Sequence, residues 1–148
     1  MKIVKAYIFK VLINYVIMDF KGVIIEESLD DKSILRDKNI KIVSTEIEKV
    51  IEKHKTPWIK QWTLHNVEID EKNVEEIAEK IAKALDKEHE WYADIKNNEY
   101  HYIIFRNKVF KIDIYNKEQY DKAKEYGISL GIPKYQVDFH PQIKKRER

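Results

Sequence analysis

The 148-residue chain contains no cysteine, which excludes disulfide bridges, thiol chemistry and cysteine-ligated zinc. Glycine is nearly as scarce. Only Gly22, Gly127 and Gly131 occur, so neither a P-loop nor a G-x-G-x-x-G phosphate cradle is present. That scarcity also argues that the two halves of the chain pack together rather than swing on a tether. Long apolar runs are missing as well: residues 11–18 fall far short of a membrane span, Lys10 interrupts what precedes them, and no small-residue cleavage site follows. The expectation is a cytoplasmic protein with no membrane partner. Charge of one sign does not dominate, because 28 Lys and Arg face 26 Asp and Glu for a net charge of +2. Nothing in that balance points to a general polyanion binder.

What is present reads as an α+β chain, with residues 1–148 forming one domain. Val74, Ile77, Ala78, Ile81, Ala82 and Leu85 recur at helical spacing and predict an amphipathic helix. Asn73 with Glu76 suggests its cap and capping box. Burying the four large residues of that stripe gains roughly 1.5–3 kcal/mol each. Ordering each residue of the helix costs roughly 1–2 kcal/mol of backbone entropy, so the stripe needs a sheet beneath it. Extended segments flank it: residues 62–69 before, and 91–96, 99–106 and 109–114 after. Asn97-Asn98 is the expected hairpin turn, on the ground that Asn tolerates positive φ. A second helix is capped by Asn116, turns Tyr120, Ala123, Tyr126 or Gly127, and Leu130 inward, and stops at Gly131 and Pro133. Residues 135–139 are expected to add a last strand. The order over about residues 62–139, β-α-β-β-β-α-β, predicts a ferredoxin-like split β-α-β.

Residues 1–60 read as a β-rich extension packed on that unit. Residues 3–9 and 11–18 look like strands covered on both sides. Asp19-Phe20-Lys21-Gly22 suggests a type I turn into a strand at 23–27. Residues 30–39 form a polar connection with one helical turn, residues 40–48 alternate as a strand, and 140–148 form a basic tail.

Several segments carry a likeness. Trp91-Tyr92, the run from His101 to Phe110, Tyr126-Gly-Ile-Ser-Leu-Gly-Ile-Pro133, and Gln136-Val-Asp-Phe139 resemble a group of uncharacterised prokaryotic proteins of unknown function. The resemblance spans roughly residues 62–139. It implies one compact unit and no activity, cofactor or catalytic residue.

No catalytic constellation stands out. The serines lie in no elbow or triad context, and the abundant carboxylates read as solvated loop acids. His65 and His101 would meet across neighbouring strands if 62–69 and 99–106 paired, and two such histidines can share a proton or a metal. The plainer reading is two half-buried histidines bonded to the backbone, because no third ligand accompanies them. No cofactor and no metal is expected. The aromatic residues are more suggestive. If Ile95, Ile103, Phe105, Phe110 and Ile112 face the helices, alternation sends Trp62, Leu64, Tyr92, Tyr100, Tyr102 and Ile104 to the opposite face. Trp62, Tyr92, Tyr100 and Tyr102 would then form a binding surface, unless the amino-terminal strands cover it as a second layer. A non-catalytic binding or interaction module, with self-association through that face, is the expectation. A single-stranded nucleic-acid platform of the RRM kind is the less favoured alternative, and a histidine-based enzyme the second.

Overall fold

The computed structural model describes residues 19–139. Six strands, β1 (Phe20–Ile25), β2 (Lys41–Lys49), β3 (Gln61–Ile69), β4 (Tyr92–Lys96), β5 (Tyr100–Phe105) and β6 (Lys108–Asp113), form one sheet among these residues. Its order is β2-β3-β1-β4-β5-β6, and every neighbouring pair is antiparallel. Helix α1 (Val74–Ala84) joins β3 to β4, and α2 (Lys117–Ser129) follows β6. The described chain is therefore a mixed α+β structure. The strands expected at residues 3–9 and 11–18, and the basic tail at 140–148, lie outside it.

Helix α1 forms as its periodicity predicts, with Val74, Ile77, Ala78, Ile81, Ala82 and Leu85 all buried. Its entry differs. Asn73 makes no capping bond, and Asp70 instead accepts from the Lys72 amide at the head of a 3-10 turn that leads into the helix. In α2, Asn116 does cap, accepting from the Gln119 amide, while Tyr120, Ala123 and Gly127 are buried. Gly131 ends this region at φ +92, a backbone geometry that penalises any side chain.

Three corrections concern the sheet. The segment read as a turn at residues 19–22 is the start of β1, with Gly22 opposite Val67 on one side and Ile95 on the other. A Cβ there would sit 2.1 Å from the Asp94 carbonyl oxygen, so glycine is present for close approach and not for turning. Next, β1 and β2 join the same sheet, β1 inside it and β2 at its edge, instead of forming a second layer. Because β3 and β4 both run antiparallel to β1, they are parallel to each other, and β1 fills the gap that residues 99–106 were expected to fill. Finally, residues 135–139 do not pair as a strand. Lys134–Gln136 is a 3-10 turn, and Val137 and Phe139 bury against the α2 cluster.

The face assignment also needs correction. Ile95 pairs with Tyr102 and Ala93 with Ile104, and all four join the cluster built around Ile77 and Ile81 of α1. Ile103, Phe105 and Ile112 point the other way, into a second cluster with Tyr120 and Ala123 of α2. The two helices cover opposite faces. Tyr102-Ile-Ile-Phe105 is apolar at every position because both of its sides are buried. The hairpin turn is also not the expected one. Asn97 accepts from the amides of Glu99 and Tyr100 through its side chain, and the positive φ falls to Asn107 in the next turn, at 56°.

Candidate ligand-binding cleft

By alternation along β3, Trp62 and Leu64 lie on the α2 side of the sheet, with Val23 and Ile25 of β1 and Tyr92 of β4 beside them. Helix α2 stands over β5 and β6 and leaves this half of the face to three irregular segments. Residues 54–58, 88–91 and 131–136 close over it and enclose a cleft of about 440 Å³.

Each segment is held by specific bonds. In the first, the His54 Nδ1 accepts from the Ile51 amide at 2.9 Å, Lys55 turns the chain at φ 59, and Thr56 Oγ1 accepts the indole N–H of Trp62 at 2.9 Å. In the second, Asp86 organises the loop. Its carboxylate accepts from the Glu88 amide at 2.9 Å, His89 Nδ1 at 2.7 Å and the Trp91 indole N–H at 3.3 Å. Partial burial pushes the Asp86 carboxyl up, but these donors together outweigh it and leave the group below its ordinary value. In the third, the Gln136 carbonyl accepts from the Tyr92 hydroxyl at 2.6 Å, and the Gln136 side-chain amide donates to the His54 carbonyl at 3.3 Å. The Tyr135 hydroxyl donates to the Lys53 carbonyl.

The walls are aromatic. Trp58 and Trp91 stand nearly perpendicular at 84° with ring centroids 6.3 Å apart, and Trp62 meets Trp91 at 60° and 5.7 Å. His54 approaches Trp62 edge-on at 4.4 Å. Although only 2% exposed, His54 has no hydrogen-bond partner for Nε2, which carries the proton once Nδ1 accepts; it faces Glu48 Oε1 at 3.3 Å without bonding geometry. Trp58 is 45% exposed at the mouth.

Of the residues expected to bind, Trp62 and Tyr92 line this cleft. Tyr102 does not. It is 3% exposed, packed edge-on against Phe20 on the α1 side of the sheet, and burial raises its phenol pKa despite the opposing Lys111 charge. Tyr100 is 37% exposed on that same face, with Lys111 Nζ 4.5 Å from its ring centre. The continuous aromatic surface is therefore divided between two sides of the sheet.

The histidine pair is separated too, because β1 and β4 stand between β3 and β5. His65 bonds Thr45 Oγ1 at 2.9 Å and Glu26 Oε1 at 3.1 Å. His101 is buried between Asp94 Oδ2 at 2.8 Å and the Tyr120 hydroxyl at 3.0 Å, linking the sheet to α2. No cluster of three or more metal-ligating side chains occurs among the described residues. Nor is any described helix long and apolar enough to cross a membrane.

Reasoning from periodicity missed His54, which ends a short 3-10 turn, and Trp58, Asp86, His89 and Trp91, which sit in loops where no period exists. A signal was nonetheless available: each of the two loops carries one histidine followed shortly by one tryptophan. Comparison with protein-family models, with curated proteins and with solved structures gave no match to this chain.

Proposed function

We propose that this protein is a binding module that takes a small ligand into the tryptophan cleft, on a ferredoxin-like split β-α-β frame whose gap is filled by β1. One observation carries the reading. All three tryptophans of the chain, together with His54 and His89, converge on a single recess of about 440 Å³, a size and composition typical of small-molecule sites. An open patch for self-association is less well supported, because Tyr102 is covered and Trp62 faces inward. A nucleic-acid platform is disfavoured by the same division of rings and by Glu88 and Glu90 at the cleft, whose charge opposes phosphate.

The test is a fragment screen by ligand-observed NMR, followed by mapping on the indole N–H resonances. The expected result is a set of mutually competing fragments that shift the Trp58 and Trp91 signals and lose binding in Trp58→Leu. A screen in which no fragment moves any indole signal would overturn the reading.

A further inference from the structure

The chemistry of the cleft also selects its ligand, an assignment that rests on the cleft being a binding site. Most of its neutral hydrogen-bonding side chains are already engaged within the protein, the buried His54 Nε2 excepted. The Trp62 indole N–H goes to Thr56, the Trp91 indole N–H and His89 Nδ1 go to Asp86, the Tyr92 hydroxyl goes to the Gln136 carbonyl, and the Gln136 amide goes to His54. What remains is π surface and charge. Trp58, half-exposed at the mouth with His89 stacked on one side, presents ring surface, with the more deeply buried Trp91 and Trp62 set at 84° and 60° behind it, and an aromatic face is the negative part of the ring quadrupole. The exposed charged side chains on the lining are the carboxylates Glu88 and Glu90 against the single ammonium of Lys55. The excess is local, because the chain as a whole carries +2.

We infer that the cleft binds an organic cation of the alkylated-ammonium class. Such a head group is weakly hydrated, needs no hydrogen bond, and is attracted both by the indole faces and by the two carboxylates. An anion would meet the carboxylates without a compensating guanidinium on the lining.

A charge-only comparison tests this. Choline and its neutral carbon isostere, 3,3-dimethylbutan-1-ol, have nearly the same shape, so titrating each against the intrinsic tryptophan emission isolates the charge. Choline is expected to bind about tenfold more tightly than the isostere. In E88Q/E90Q that preference should shrink several-fold while isostere binding holds, and in Trp58→Leu choline binding should weaken; circular dichroism verifies that both variants remain folded. Equal affinity for the two probes, or no choline binding, overturns the cation assignment. Fragment hits in the indole NMR experiment would in that event leave the cleft standing as a binding site. Only failure of both experiments removes the two readings together.

Discussion

Trp58 and His89 lie face to face, ring centroids 3.7 Å apart and planes 11° from parallel, although β3 and all of α1 separate them in sequence. This stack joins two loops that share no strand pairing. It forms the outer wall of the cleft, and Asp86 fixes its histidine half.

Removing the outer ring should weaken binding more than folding. Trp58 is half-exposed, so Trp58→Leu forfeits mainly the stack and is expected to cost about 1 kcal/mol in unfolding free energy. Guanidinium denaturation measures the loss. Near-ultraviolet circular dichroism should change markedly, because the asymmetric ring packing of the mouth goes with it.

Asp86 should matter more than its loop position suggests. Asp86→Ala strands three donors at once, of which the Trp91 indole is largely buried, and is expected to cost about 1–3 kcal/mol. The pH dependence has a definite sign. The folded-state pKa of Asp86 is lowered, so its stabilisation is fully present above the ordinary carboxyl value of about 4 and fades as pH falls through the lowered folded value. The stability gap between wild type and Asp86→Asn should therefore narrow in acid, as chemical denaturation at stepped pH will show.

The buried link under α2 gives an independent prediction. With the Asp94 carboxylate accepting from His101 Nε2, the Nδ1 atom accepts from the Tyr120 hydroxyl. Tyr120→Phe removes that donor with almost no change of shape. The expected loss is about 1–3 kcal/mol, read as a lower denaturation midpoint with an unchanged slope, and the cleft should still bind its ligand.

Two glycines should respond differently to alanine. At Gly22 the new methyl meets a main-chain oxygen of the adjacent strand, which cannot yield without shifting β4, so a loss at or above about 3 kcal/mol is expected. At Gly131 nothing lies within 4 Å and only the φ of +92 objects, so the cost should be about 1–2 kcal/mol. Thermal melts of the two variants side by side will separate crowding from backbone strain.

These particulars also show what the sequence could disclose. Helix α1 was readable because six buried positions repeat at one period. The sheet faces were not, because Tyr102-Ile-Ile-Phe105 is apolar at both parities, and alternation says nothing when both sides are covered. Gly22 looked like a turn because the feature that demands it, the nearby Asp94 carbonyl, belongs to a strand more than seventy residues downstream. Trp62 and Tyr92 do share a side of the sheet, but the rings that complete their surroundings come from loops, and only the folded chain brings them together.

Because no indole exists anywhere else in the chain, its ultraviolet emission reports on one corner of the molecule alone. Denaturation followed by that light would register the parting of three loops, while far-ultraviolet dichroism would register the melting of strands and helices. If the loops part first, the two curves will separate, and the gap between them will measure how loosely the corner is attached to the sheet beneath it.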